Sequence, residues 1–181
     1  MPEKIIATNE TLRDLVCEAV EKYGPNCDLN FIDVSHVTKM EFIFAGSSFN
    51  GDISKWDVSN VVDMSYIFAH SVFNGDISNW NVSKVESMNC VFHDSQFNGD
   101  ISRWNVSKVQ NFFAMFDSSH FNGDISRWDV SNATEFTYMF KNSCFCGDLN
   151  RWRVSPTAPK LEMFKNSPLE SLGEIPRWYY R

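Results

Sequence analysis

The amino-acid sequence predicts an α/β repeat solenoid, with short parallel β-strands on one face, short helices or 3₁₀ turns on the other, and a capping helix at the N-terminus. Three observations predict it. Aromatic residues and glycines recur at a constant 24-residue interval. Within each interval a short apolar alternation is followed by apolar residues at helical spacing. No single interval can shield its own rings from water, so successive units must stack.

The period is plain in the chain. Phe49, Phe73, Phe97, Phe121 and Phe145 are each 24 apart, as are Trp56, Trp80, Trp104, Trp128 and Trp152. Phe44, Phe68, Phe92, Phe116, Phe140 and Phe164 form a third series. Gly51, Gly75, Gly99, Gly123 and Gly147 keep step, and so do Asp52, Asp76, Asp100, Asp124 and Asp148. A degraded copy precedes them in Asp28, Leu29, Ile32, Val34, Ser35, Val37, Met40, Ile43 and Phe44. The expected organisation is one domain: an N-terminal capping helix over 1–24, about six repeats over 25–168, and a C-terminal cap over 169–181.

In the repeat that begins at Phe49, the inward positions are Ile53, Trp56, Val58, Val61, Met64, Ile67 and Phe68. Their spacing is that of a leucine-rich repeat, with Val61 where many such repeats carry Asn or Cys. Trp56-x-Val58 alternates as a strand does. Ser59 offers a hydroxyl to the following turn, and Ser83 with Glu86 and Ser107 with Gln110 have capping-box spacing. Val61, Met64, Ile67 and Phe68 predict a short helix or 3₁₀ turn. Asn50-Gly51 predicts the return turn, with glycine supplying positive φ. At the N-terminus, Thr8 or Asn9 is the expected cap of a helix carrying Leu12, Leu15, Val16, Ala19 and Val20, ended by Gly24-Pro25. At the other end Leu169, Leu172, Ile175, Pro176, Trp178 and Tyr179 are expected to fold over the last repeat.

The repeated text FNGDISKWDVSNVVDMSYIF resembles the BspA-type leucine-rich repeat surface proteins. The likeness covers about 28–164, with a leading amphipathic helix and a closing Pro-Arg-Trp-Tyr segment also similar. The resemblance implies a right-handed solenoid, a cell-surface or secreted location, and a role in adhesion or host contact. It carries no catalytic motif.

Composition narrows the function classes. The chain holds 16 Lys and Arg against 23 Asp and Glu, a net charge of −7, which disfavours a nucleic-acid partner. No apolar stretch has the length of a membrane span, and residues 1–21 lack the apolar run of a secretion leader. The cysteines, Cys17, Cys27, Cys90, Cys144 and Cys146, match no zinc spacing and read as free, mostly buried thiols suited to the cytosol. His36, His70, His93 and His120 share no register and read as scattered surface histidines. The Asp series reads as turn chemistry, with the carboxylate accepting nearby backbone amides, and no metal or cofactor is expected. No nucleophile elbow, phosphate loop or His-Glu-x-x-His motif is present, so an enzyme is not expected.

The expected function is therefore a monomeric, non-catalytic module that binds a protein or cell-surface macromolecule, with a structural spacer or assembly element as the alternative. The candidate binding face lies in two outward columns of the expected sheet. One runs through Lys55, Asn79, Arg103, Arg127 and Arg151, the other through Asp57, Asn81, Asn105, Asp129 and Arg153. Arginine suits such a face because its planar guanidinium pairs bidentately and is weakly hydrated.

Overall fold

The structure, a computed structural model, describes residues 4–180. The outermost residues of the two expected terminal segments, 1–3 and 181, lie outside the described residues. Regular elements are few: β1 (Ile5–Ile6), α1 (Leu12–Tyr23), β2 (Ile32–Asp33), α2 (Pro168–Ser171) and a 3₁₀ turn over Arg177–Tyr180. β1 and β2 form a two-stranded parallel sheet, Ile5 opposite Ile32 and Ile6 opposite Asp33.

The expected leucine-rich-repeat-like, right-handed α/β solenoid is thus overturned. Helix, with the 3₁₀ turn included, makes up only 11% of the chain, and strand together with isolated bridge residues only 6%. Trp56-x-Val58 and its equivalents at Trp80, Trp104, Trp128 and Trp152 carry no strand, the first repeat alone having β2 at this position, and Val61 to Phe68 carries no helix. The reason lies in where the amides go. The N–H of Trp56 closes a turn onto the Ile53 carbonyl at 3.2 Å, and Trp80 does the same onto Ile77 at 3.1 Å. The amides of Ser54, Ser59 and Ser65 are taken by the carboxylates of Asp52, Asp57 and Asp63 at 2.8–3.0 Å. Each of these Asp-x-Ser triplets is an Asx turn, and such turns compete directly with strand and helix for the same donors. The capping boxes expected at Ser83 and Ser107 are absent for the same reason: both amides bond back, to Asn81 and Asn105, at 3.2 Å.

What joins one repeat to the next is a ribbon of turns. Lys39, Asp63, Ser87, Asn111 and Glu135 form successive parallel bridges. Beyond them alternate amides cross to the following repeat: Met64 to Ser87, Tyr66 to Asn89, Phe68 to Val91 and His70 to His93, at 2.8–3.1 Å. The amides between fold back three residues, Ile67 to Met64 and Ala69 to Tyr66. The apolar spacing read as helical belongs to these consecutive turns. Their geometry places residues in the left-handed region, including Tyr66 at φ 59° and His70 at φ 56°. The same two columns continue through Cys90, Ala114, Tyr138 and Glu162, and through Asp94, Ser118, Asn142 and Asn166.

A left-handed residue other than glycine costs roughly 1–2 kcal/mol. Burying a large apolar side chain contributes about 1.5–3 kcal/mol. In one repeat the buried rings of Phe49, Trp56 and Phe68 outnumber the left-handed Tyr66 and His70, so burial wins. The rings stack in register: Phe44, Phe68, Phe92, Phe116 and Phe140 have neighbouring centroids 5.5–5.7 Å apart. Each indole also donates its N–H to a carbonyl of the preceding repeat, Trp56 to Leu29 and Trp80 to Ile53, at 3.0 and 3.2 Å. The polar edge of a buried Trp is satisfied by the stack itself.

The repeat glycines serve a purpose other than the one expected. Gly75 does not have positive φ; a Cβ there would meet the ring of Phe73 at 2.8 Å and the Gly51 carbonyl at 3.1 Å. Close approach, and not a left-handed turn, requires glycine. Beside it, the Asn column bonds between repeats, the amide of Asn74 reaching Asn50 Oδ1 at 2.8 Å.

Both ends of the stack are finished by side chains that imitate a repeat. The N-cap position of α1 is Thr11, without a side-chain bond to the helix; of the two expected caps, Thr8 Oγ1 accepts the amides of Glu10 and Thr11 at 3.3 Å in the turn leading into α1, and Asn9 does not cap. Asn9 Oδ1 instead accepts the amides of Thr38 and Lys39 at 2.9 and 3.2 Å. In the next repeat the equivalent amides, Val62 and Asp63, share the Thr38 carbonyl at 2.8 and 3.3 Å. Asn9 therefore supplies the carbonyl that an earlier repeat would supply. At the other end Trp178 stacks on Trp152 with centroids 6.3 Å apart, and Leu169 is buried. Leu172 remains 65% exposed, so it takes no part in covering the core.

Candidate functional site: the exposed columns beside the tryptophan stack

Each buried Trp is flanked by two exposed side chains, one in the turn that the Trp amide closes and one directly after the ring. Lys55, Asn79, Arg103, Arg127 and Arg151 precede the ring, and Asp57, Asn81, Asn105, Asp129 and Arg153 follow it; all ten are exposed. The second column does structural work as well. Asp57, Asn81, Asn105 and Asp129 accept the amides of Ser59, Ser83, Ser107 and Ser131 at 3.0–3.2 Å. Hydrogen bonds from Ser59 hold the Asp57 carboxyl below its ordinary range, and Ser131 does the same for Asp129.

The structure gathers these residues unevenly. Arg127, Asp129, Arg151 and Arg153 meet around one open groove, with Ser126, Trp128 and Ser131. Lys55 and Asp57 line a separate groove at the other end with Lys4, Asn30 and Asp33. There the Lys4 ammonium, 2.9 Å away, and then the amide and hydroxyl of Ser35 pull the Asp33 carboxyl down to about 2. Asn79, Asn81, Arg103 and Asn105 occupy the exposed columns in between. Among the described residues, the basic end of the face is without internal ion pairs: no carboxylate lies within 4.0 Å of Arg103, Arg127, Arg151 or Arg153.

Two features escaped the sequence reading. His70 and His93 are not scattered: their rings meet edge to face at 4.8 Å. His70 Nδ1 lies 2.9 Å from Asp94 Oδ2, and His93 Nδ1 lies 3.6 Å from Asp117 Oδ2. Each aspartate stands one 24-residue period beyond its histidine, a signal that was present in the chain. The histidine pair was hidden because the turn ribbon joins residues 23 apart, His70 amide to His93 carbonyl. The thiols also differ from expectation: only Cys90 is buried, Cys27 is half-buried, and Cys17, Cys144 and Cys146 are exposed. Burial raises the Cys90 thiol above its usual value.

The repeated aspartates act on the backbone. Asp52, Asp76, Asp100 and Asp124 each accept the amide two residues on at 2.8–2.9 Å. Among the described residues no group of three or more His, Cys, Asp or Glu is arranged to hold a metal ion. Nor, among them, is any helix long and apolar enough to cross a membrane.

The chain matches the family model described as "Mycoplasma protein of unknown function, DUF285" over residues 16–119 and 93–178. Neither a curated protein nor a solved structure matches it.

Proposed function

The chain belongs to the DUF285 family, and we propose that it is a non-catalytic interaction module, akin to BspA-type surface proteins, that binds a macromolecular partner through the exposed columns beside the tryptophan stack. One observation carries this reading. Inward positions keep one residue class through the repeats up to Phe140, and depart from it in the last at Thr157 and Lys160, while the flanking columns change from Lys55 through Asn79 to Arg103, Arg127 and Arg151, and from Asp57 to Arg153. A constant core beneath a graded surface separates folding from recognition. Basic side chains left without carboxylate partners are free to pair with one brought by another molecule.

The test is capture of a partner by the wild-type chain and by the Arg103→Glu, Arg127→Glu, Arg151→Glu variant. A second variant, Glu41→Lys, reverses charge on the turn-ribbon side. Loss of capture in the first alone, with the melting temperature unchanged, is the expected result. Equal capture by both variants removes this face from consideration.

A further inference from the structure

Resting on that reading, we infer that the groove of Arg127, Arg151 and Arg153 recognises a short cluster of carboxylates on a partner protein, and that Arg153 stands there at the expense of a local turn. Five repeats place an acid or amide at this position: Asp33, Asp57, Asn81, Asn105 and Asp129. Each one accepts the amide of the serine two residues on, at 3.0–3.2 Å. Arg153 has no acceptor to offer, and among the described residues the Ser155 amide has no partner. The turn itself moves on by one residue in this repeat, closing Ala158 onto the Ser155 carbonyl at 3.1 Å where Val61 closes onto Val58, and the exposed arginine takes the place of the acceptor; departures of this kind from a local rule gather at functional positions.

The surroundings define the ligand. Arg127, Arg151 and Arg153 are exposed around one groove, and no carboxylate of the described chain lies within 4.0 Å of them. The groove's own carboxylate, Asp129, is engaged by the Ser131 amide at 3.1 Å. Guanidinium groups grouped in this way suit planar, bidentate acceptors. A long uniform polyanion fits poorly. Asp100, Asp124 and Asp148 run alongside as an exposed row, and the chain as a whole carries −7. A discrete acidic segment can meet the arginines and avoid that row, which favours a polypeptide over a sulfated polysaccharide or nucleic acid.

The experiment uses the full chain, a fluorescent peptide bearing a run of four glutamates, and heparin as the polysaccharide comparison. The peptide should bind at low salt and be released as salt rises. Arg153→Asn removes the charge and restores the turn acceptor. It should weaken peptide binding about fivefold, the factor that roughly 1 kcal/mol of ion pairing represents, while the melting temperature holds or rises. Unchanged peptide affinity in Arg153→Asn, a lowered melting temperature, or binding of heparin without the peptide overturns the inference. If that happens while charge reversal at Arg103, Arg127 and Arg151 still abolishes partner capture, the interaction reading stands and only the acidic ligand is lost.

Discussion

The indole N–H of Trp178 donates to the carbonyl oxygen of Leu149 at 2.8 Å. That bond repeats, outside the 24-residue register, the contact that Trp152 makes with Ile125 at 3.0 Å. The C-terminal segment thus ends the stack by presenting the same ring and the same donor that another repeat would present.

Removing that imitation should open the end of the core. Trp178→Ala is expected to destabilise the chain by about 3 kcal/mol through lost ring burial and stacking. Trp178→Phe keeps a ring and loses the donor, and should cost about 1 kcal/mol. Urea unfolding of both variants separates the two contributions; equal losses would show that the N–H, and not the ring, closes this end.

Asn9 provides the matching test at the other end. Asn9→Ala leaves the Thr38 and Lys39 amides without their shared acceptor and should cost about 1–2 kcal/mol. Asn9→Asp keeps the oxygen and should remain within about 0.5 kcal/mol of wild type. Amide hydrogen exchange should report the loss locally, with Thr38 and Lys39 exchanging faster in the alanine variant alone.

Glycine should help where the chain has none and be irreplaceable where it has one. Ser118 sits at φ 57°, so Ser118→Gly should stabilise by about 0.5 kcal/mol, after the added freedom of the unfolded chain is subtracted. Gly99→Ala places a methyl 2.9 Å from the Phe97 ring and should destabilise by about 1–3 kcal/mol. Melting curves of the pair should move in opposite directions.

Acid should weaken the stack. Asp33 is held near 2 by Lys4 and Ser35, and hydrogen bonds from the following serines lower Asp52, Asp57, Asp76 and Asp129. An unfolded aspartate titrates near about 3.9, so between that value and the folded one the unfolded chain binds more protons. Stability from these groups is complete above about pH 4 and is lost as pH falls toward about 2. Melting temperatures taken across that window should fall steadily, and less steeply in Asp33→Asn. A flat profile would mean that the Asx carboxylates contribute nothing as charges.

The sequence alone was enough to set the 24-residue register, the buried identity of Trp56, Met64 and Phe68, and the exposure of the columns through Lys55 and Asp57. These follow from side-chain chemistry repeated along the chain, which needs no knowledge of neighbours. Tertiary structure decided the rest. Whether the amide of Ser59 joins a ladder or an Asx turn, whether Tyr66 adopts positive φ, and whether His70 meets His93 all depend on where a main-chain donor finds its acceptor. Strand, helix and turn all accommodate the same apolar spacing. The choice among them is a competition between an acceptor two residues away and one in the adjacent repeat, and it is settled only when the repeats lie against each other.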